Sequence, residues 1–221
     1  MRPVTRTRSN TSDQMKICEM FRSIQGEGKL IGVPTYFIRS IGCNLDCAWC
    51  DTKYSFDGGM DMSIEEIVES TRGEKHICIT GGEPLIQKEF PELLSKLLDA
   101  GKHITIETNG SISLKDIPDS DNILISMDIK CPSSKMTDRM DWNNLALLKP
   151  KDQLKFVLAD EADYEFAVDI VRKYKPNTEI IFSPVGGLDV RSIAERVVES
   201  GLDVRVLLQL HKIIWGNKKG V

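Results

Sequence analysis

Short apolar runs alternate with amphipathic stretches along most of the chain, and this pattern predicts an α/β fold. The apolar runs have strand length, are rich in β-branched residues and are bounded by polar turns. The folded part is expected to begin near residue 17, and the predicted strands cover residues 35–39, 76–80, 103–108, 123–130, 153–158, 180–182 and 204–215. Because helical stretches separate most of these strands, the sheet should be largely parallel.

Four segments carry the apolar spacing of an amphipathic helix. They cover residues 64–70, 87–100, 162–174 and 190–200, and the first opens with a capping box formed by Ser63 and Glu66. Two connections are irregular, since residues 111–122 have no helical stripe and residues 131–151 allow at most a short helix near 142–148. The sequence therefore predicts an incomplete outer layer of helices.

Polar residues recur at alternate positions near the ends of several predicted strands. They are Ser126, Asp128 and Lys130 on one strand, and Lys155, Ser183, Gln209 and His211 on or after later ones. In a parallel sheet covered on both faces, strand residues are nearly all apolar. Each polar residue alone is better explained as a satisfied group at a strand end, but together they favour a face that lines a wet or liganded cavity.

Length and composition indicate one ordinary globular domain. The chain has 221 residues, of which 41% are hydrophobic and 28% charged, and this suffices for a single domain over residues 16–221. Residues 1–15 are almost devoid of apolar side chains, so we expect a disordered tail there. The net charge of −4 gives no argument for nucleic-acid binding. No stretch resembles a membrane span or a secretory signal, which favours a cytoplasmic location without a membrane partner.

Three cysteines, Cys43, Cys47 and Cys50, stand in the spacing C-x3-C-x2-C. Three thiolates on one short loop can hold three corners of a cubic iron–sulfur cluster and leave the fourth iron open for chemistry. A structural zinc site is the weaker interpretation, because it would need a fourth ligand at a compatible spacing. A disulfide framework is also disfavoured in a chain with no export signal. The other cysteines, Cys18, Cys78 and Cys131, are expected to be packing residues.

The cysteine spacing, followed by Gly81-Gly82-Glu83-Pro84, resembles the radical S-adenosylmethionine (SAM) superfamily. Within it, residues 25–28, the pair Asp51-Thr52 and residues 209–212 resemble the 7-carboxy-7-deazaguanine synthases, and the likeness runs from about residue 21 to 215. The resemblance implies a reduced form of the partial (β/α)6-type barrel, with some outer helices shortened or missing. It also implies a 4Fe-4S cluster, SAM and Mg²⁺ as cofactors.

The reaction that the resemblance implies is a radical ring contraction, classed as a carbon–nitrogen lyase reaction. A 5′-deoxyadenosyl radical takes hydrogen from carbon 6 of 6-carboxy-5,6,7,8-tetrahydropterin, and the ring rearranges to 7-carboxy-7-deazaguanine with loss of ammonia. The product feeds 7-deazapurine nucleosides of tRNA, of the queuosine or archaeosine type, so direct contact with nucleic acid is not expected. The resemblance also implies a flavodoxin- or ferredoxin-type protein as the reductant and a homodimer as the oligomeric state.

The resemblance also assigns residues to the site. The cluster ligands are Cys43, Cys47 and Cys50, and no residue is assigned as acid or base because the radical arises at the cluster. The implied SAM contacts are Trp49, Cys50, Asp51, Gly81, Gly82, Glu83, Glu107, Ser126, Asp128 and Lys130. The implied substrate contacts are Ile24, Gln25, Gly26, Glu27, Arg39, Thr80, His211 and Lys212, and Thr52 is the implied Mg²⁺ ligand. The side-chain chemistry of two of these residues fits the implied roles. The guanidinium of Arg39 can bind a carboxylate through paired hydrogen bonds, and the hydroxyl of Thr52 is an oxygen ligand of the kind that Mg²⁺ prefers.

Two other functions are compatible with parts of the sequence. A glycyl-radical-enzyme activating enzyme has the same cysteine spacing, but it would need a broad docking surface for a protein, whereas Glu27 and Arg39 suit a small anion. A zinc-binding structural module would leave residues 81–84 and the polar strand faces unexplained. The chain also continues past Trp215 as residues 216–221, and the sequence leaves open whether this tail closes over the substrate.

Overall fold

The computed structural model describes residues 14–186 and 189–221. In these residues nine strands form one sheet and five α-helices pack around it. The strands are β1 Gln14–Ile24, β2 Pro34–Ser40, β3 Met60–Ser63, β4 His76–Gly81, β5 His103–Thr108, β6 Ile123–Ile129, β7 Gln153–Leu158, β8 Glu179–Pro184 and β9 Arg205–Val206. The helices are α1 Ile64–Ser70, α2 Phe90–Asp99, α3 Glu161–Tyr174, α4 Arg191–Ser200 and α5 Leu210–Trp215.

The sheet follows chain order over most of its width. Its strand order is β3-β1-β2-β4-β5-β6-β7-β8-β9, with antiparallel pairing from β3 to β2 and parallel pairing from β2 to β9. The carboxyl ends of the parallel strands therefore meet at one edge, where such sheets bind ligands. The predicted α/β class is confirmed, and this mostly parallel, open sheet is consistent with the predicted reduced form of the partial (β/α)6-type barrel.

The core explains the alternation along the central strands. On β5 to β7, one set of side chains is apolar and buried in the main core, namely Ile104, Ile106, Ile123, Ile125, Met127, Ile129, Leu154, Phe156 and Leu158. The alternate positions include Glu107 and Asp128 near the carboxyl ends of β5 and β6 and Lys155 in β7, and all three line a cavity. Period-two alternation therefore separates a dry face from a polar face, as the sequence predicts.

Three elements differ from the sequence prediction. Gln14 and Met15 lie in β1 rather than in the tail, with Met15 fully buried, and the rest of the predicted tail lies outside the described residues. The short strand β3 is not predicted, because its pairing with β1 is a long-range contact. The predicted strand over 204–215 is wrong, since only Arg205–Val206 is extended and α5 follows. The chain leaves the sheet there, and Leu210 N donates instead to Gly26 O in the loop after β1 (2.9 Å).

The helices are confirmed with shifted bounds, and the predicted gaps in the outer layer are confirmed too. The capping box of Ser63 and Glu66 is present at α1. Residues 109–122 and 130–152, all of them described, contain no α-helix, and the second stretch holds only 3-10 turns. No helix among the described residues is both long and apolar enough to cross a membrane.

Asn144 takes over part of the role of the missing helix after β5. This fully buried side chain accepts a hydrogen bond from Leu114 N (2.9 Å) and donates to Gly110 O (3.1 Å) and Ile112 O (2.8 Å). These backbone groups would be satisfied internally in a helix, and here one amide satisfies them.

We therefore expect Asn144→Ala to lower the free energy of unfolding by about 3 kcal/mol, because it leaves buried backbone groups unpaired. The neighbouring Asn143 is exposed, so Asn143→Ala should change that free energy by less than about 0.5 kcal/mol. Urea unfolding followed by tryptophan fluorescence measures both. Equal losses in the two variants would contradict this role of Asn144.

Candidate active site

A cavity of about 490 Å³ opens at the carboxyl ends of the parallel strands. The loop after β1, the cysteine loop after β2, helix α5 and the final residues of the chain complete its walls. It brings together nearly all residues that the sequence analysis assigned to the site. Those on its walls are Ile24, Gln25, Gly26, Glu27, Arg39, Cys43, Cys47, Trp49, Cys50, Asp51, Thr52, Thr80, Gly81, Gly82, Glu107, Asp128, Lys130, His211 and Lys212.

The three loop cysteines line one wall of this cavity as free thiols. Cys43 accepts weak hydrogen bonds from Leu45 N (3.4 Å) and Asn109 Nδ2 (3.7 Å). Burial raises the pKa of Cys43 and Cys47, while the ammonium of Lys130 works in the opposite direction on Cys47. Donors and a cation are thus already aimed at sulfur atoms that would carry negative charge as metal ligands.

These cysteines fit a cluster better than a single ion. Among the described residues, no three His, Cys, Asp or Glu side chains converge as the ligands of one metal ion would. A cubane cluster does not require such convergence, because each thiolate binds a different iron. The turn after β4 also needs glycine here, since a Cβ on Gly82 would overlap Gly42 O and crowd Cys43 Cβ. The bare backbone of the turn therefore lies directly against the cysteine loop.

Glu83 departs from the predicted arrangement, because it does not line the cavity. Its carboxylate is fully buried behind the turn and accepts from Leu85 N (3.1 Å), Thr108 Oγ1 (2.9 Å) and Asn109 N (2.6 Å). Burial raises the pKa of Glu83 to about 7 in spite of these hydrogen bonds. The carboxylate therefore fastens the turn after β4 to the end of β5.

Ser126 also lies away from the cavity. It is on the predicted face of β6 but deeper in the strand than Asp128, and it is buried. Its hydroxyl accepts from Gln153 Nε2 (2.7 Å), and Gln153 Oε1 accepts from Lys29 N (2.6 Å). Period-two alternation gives the face of a residue but not its depth in the sheet. Through Gln153, Ser126 supports the loop after β1.

Glu27 lines the cavity, and each of its two carboxylate oxygens has a partner. Lys155 Nζ lies 2.5 Å from Oε2, and Gln209 Nε2 donates to Oε1 (2.5 Å). Although burial alone would raise the pKa of Glu27, the charge of Lys155 holds it below its ordinary value. Lys155 and Gln209 stand out in the sequence only as polar residues on or after strands, and the structure shows which carboxylate they serve.

Arg39 is oriented by two residues that the sequence analysis missed. Its Nε donates to Glu19 Oε1 (2.8 Å), and the Tyr54 hydroxyl donates to the same oxygen (2.8 Å). Burial raises the pKa of Tyr54 to about 12, so the phenol keeps its proton. Hydrogen bonds among the described residues use only Nε of the guanidinium, and Nη1 and Nη2 stay available to a ligand. Glu19 lies on the antiparallel strand β1, which carries no motif that points to a site.

An oxygen-rich set lies where the cysteine loop meets α5. Thr52 Oγ1 donates to Asp51 Oδ1 (2.9 Å), and Lys212 Nζ lies 3.2 Å from Asp51 Oδ2. Burial would raise the pKa of Asp51, but Lys212 and the hydrogen bonds from Thr52 and Lys212 bring it below its ordinary value. A hydroxyl beside an ionised carboxylate offers the hard oxygen ligands that Mg²⁺ prefers.

The loop after β1 contacts both the strands β4 and β5 and the helix α5. Glu107 accepts from Thr80 Oγ1 (2.8 Å) and from Gln25 Nε2 (3.3 Å). A Cβ on Gly26 would overlap the ring of His211, so glycine is required where α5 meets the loop after β1. His211 therefore reaches the cavity from a helix rather than from the predicted strand.

The end of the chain folds back over the cavity. Residues 216–221 line it, and the ammonium of Lys219 stands 4.0 Å above the centre of the Tyr54 ring. Such a cation–π contact is typically worth about 0.5–2 kcal/mol. The final residues, which the sequence leaves unplaced, therefore form part of the cavity wall beside Tyr54.

Comparisons with known proteins agree with this geometry. The model of the Radical SAM superfamily matches residues 37–149. A protein named 7-carboxy-7-deazaguanine synthase from Thermoplasma acidophilum is 45% identical over 94% of this chain and 100% of its own length. One of the same name from Methanospirillum hungatei is 45% identical over 92% of this chain and 86% of its own length. The crystal structure of QueE from Escherichia coli shares the fold, with a TM-score of 0.73 at 24% identity over 90% of this chain and 95% of that one.

The buried position of Glu83 predicts a pH effect on stability. Because its folded-state pKa is raised from 4.5 to about 7, the stabilisation that it gives is present below about pH 4.5 and is lost as the pH rises through 7. The difference in unfolding free energy between wild type and Glu83→Gln should therefore shift by up to about 3 kcal/mol between pH 5 and pH 8, with wild type favoured at low pH.

Urea titrations at several pH values measure this difference. Glu92→Gln, at an exposed position on α2, is the matched control and should show no comparable trend. A pH-independent difference for Glu83→Gln would rule out the raised pKa.

Proposed function

The chain belongs to the 7-carboxy-7-deazaguanine synthase family of the radical SAM superfamily, and on this basis we propose how its residues bind the cofactors and the substrate. It is a radical SAM enzyme of deazapurine biosynthesis and a carbon–nitrogen lyase, and it converts 6-carboxy-5,6,7,8-tetrahydropterin to 7-carboxy-7-deazaguanine with loss of ammonia. The curated relatives carry the name of the synthase rather than that of an activating enzyme.

Cys43, Cys47 and Cys50 are the proposed ligands of a 4Fe-4S cluster. With SAM bound, this cluster supplies a 5′-deoxyadenosyl radical for hydrogen abstraction from the substrate. The backbone at Gly81 and Gly82 lies against the cysteine loop and is free of side chains, which suits close contact with the methionine part of SAM. Trp49, Asp51, Glu107, Asp128 and Lys130 would complete the SAM site from the cavity walls. In this proposal Glu83 and Ser126 support the site from behind and do not touch SAM.

The substrate carboxylate would bind near Arg39. The guanidinium is fixed through Nε by Glu19, so Nη1 and Nη2 can form the paired hydrogen bonds that carboxylates accept. Lys212 adds a second positive charge, and Mg²⁺ at Thr52 would join the carboxylate to the protein through oxygen ligands. The three groups line the same cavity from the sheet, from α5 and from the cysteine loop, and Lys212 and Thr52 both contact Asp51.

The pterin ring would lie between the loop after β1 and helix α5. Glu27 is ionised and offers acceptors to the N–H groups at the amino-pyrimidine edge of a pterin, while Ile24, Gln25, Gly26, Thr80 and His211 line the same part of the cavity. A primary radical reacts with the hydrogen nearest to it, so the main task of these residues is to fix the ring in one orientation.

Several further features belong to the proposal. The external electron donor would be a flavodoxin- or ferredoxin-type protein. The active form would be a cytoplasmic homodimer that does not itself bind nucleic acid. The observation that carries the proposed function is the convergence of three free cysteine thiols, the glycine turn after β4 and the oriented Arg39 on one cavity.

The first test is an anaerobic assay of reconstituted protein with SAM, dithionite, Mg²⁺ and 6-carboxytetrahydropterin. We expect 7-carboxy-7-deazaguanine by absorbance and mass, and a complete loss of product with Cys47→Ala. Cys18→Ala is the control, because Cys18 lies on β1 away from the cavity walls and should keep most of the activity. SAM cleavage without conversion of the pterin would leave the superfamily intact and refute the substrate.

Arg39→Lys tests the carboxylate site. A lysine keeps the charge but cannot form the paired hydrogen bonds, so KM for the pterin should rise at least about tenfold. KM for SAM should change little. Arg22→Lys, on the exposed side of β1, serves as the control for a change from arginine to lysine. An unchanged KM for the pterin in Arg39→Lys would place the substrate carboxylate elsewhere.

A further inference from the structure

Lys155 lies between two carboxylates that reach the cavity wall from different elements. Its ammonium is 2.5 Å from Glu27 Oε2 and 3.1 Å from Asp128 Oδ1, and only 6% of the side chain is exposed. Glu27 belongs to the loop after β1, and Asp128 lies at the end of β6. Lys155 is therefore the one group, within the described residues, that forms ion pairs with both of these carboxylates.

The contacts continue beyond both carboxylates. On one side Gln209, which precedes α5, donates to Glu27. On the other side Asp128 Oδ2 pairs with Lys130 Nζ (3.2 Å), and this ammonium stands 5.8 Å from the centre of the Trp49 ring in the cysteine loop. A continuous series of charged and polar contacts thus crosses the cavity from α5 to the cysteine loop.

The charges in this series balance, so each depends on its neighbours. The ammonium groups of Lys155 and Lys130 compensate the carboxylates of Glu27 and Asp128. A buried charge is strongly destabilising unless it is paired. If either carboxylate moves toward a ligand, its ion pair with Lys155 must change. The ion pair of Lys155 with the other carboxylate then changes as well.

We propose that Lys155 is a positioning residue that couples the binding of the pterin ring at Glu27 to the binding of SAM at Asp128. The inference rests on the proposed function, because it takes the ligands of the two carboxylates from it. A ligand that donates to Glu27 weakens the pair of this carboxylate with Lys155, the ammonium then pairs more closely with Asp128, and Asp128 is held in one orientation for SAM. Since coupling between two binding sites is reciprocal, SAM must favour pterin binding by the same factor.

The experiment is a binding cycle on the reconstituted holoenzyme without reductant, so that no turnover occurs. The dissociation constant for labelled SAM is measured by anaerobic equilibrium dialysis with and without saturating 6-carboxytetrahydropterin. In wild type the pterin should tighten SAM binding about tenfold. In Lys155→Met the ratio of the SAM dissociation constants without and with pterin should be less than about 2. Lys155→Arg keeps the charge and should retain part of the wild-type ratio.

The coupling factor separates this role from a merely structural one. A general weakening of the site lowers both affinities for SAM and leaves their ratio unchanged. Lys102→Met is the matched control, because Lys102 Nζ also donates to two backbone oxygens, of Thr71 and Glu74 (both 2.8 Å), but lies outside the cavity walls. That variant should keep the wild-type factor.

A second variant covers the case in which Lys155→Met fails to bind the cluster. Glu27→Gln leaves the pair of Lys155 and Asp128 in place and should also lose the coupling. Wild-type coupling in either Lys155→Met or Glu27→Gln would overturn the inference, as would a wild-type enzyme that forms product but shows no coupling. An enzyme that cleaves SAM and never converts the pterin would instead refute the proposed function.

Discussion

A charge buried in a parallel sheet must be paired, and the whole site depends on how this chain meets that requirement. Glu107, Asp128 and Lys155 occupy positions where a parallel sheet covered by helices would carry apolar residues. Their cost is offset by ion pairs and hydrogen bonds that run between strands and out to the loop after β1. The side chains that make these contacts also line the cavity. The same residues therefore form the cavity and stabilise the buried charges in its wall.

Short-range signals in the sequence were sufficient for much of the fold. The capping box at Ser63, the apolar stripes and the strand alternation depend on neighbours only a few residues away, and each appears in the structure. The strand β3 and helix α5 could not be predicted, because β1 and Gly26, which lie far away along the chain, determine them. Periodicity favoured a strand over 204–215, and a tertiary contact at Leu210 overrode it.

The sequence predicts only those parts of the site that short-range signals reveal. Motifs identified the cysteine loop and the turn after β4, and alternation identified the polar faces. Neither gives the depth of a residue or its partner. Glu83 and Ser126, which are predicted to contact SAM, lie outside the cavity walls and hold the turn after β4 and the loop after β1. Glu19 was missed because nothing near it in the sequence shows that it would orient Arg39. Such partners are fixed only by the register between β1 and β2.

The course of the final residues affects how the protein can be handled in the laboratory. Residues 216–221 lie along the cavity, and Lys219 covers Tyr54 beside the guanidinium of Arg39. Because Val221 itself lines the cavity, a polyhistidine tag fused after it would place imidazole groups, which are metal ligands, beside the cavity while the cluster is assembled. A tag that a protease removes avoids this interference, so activities measured with and without a tag after Val221 should be compared directly.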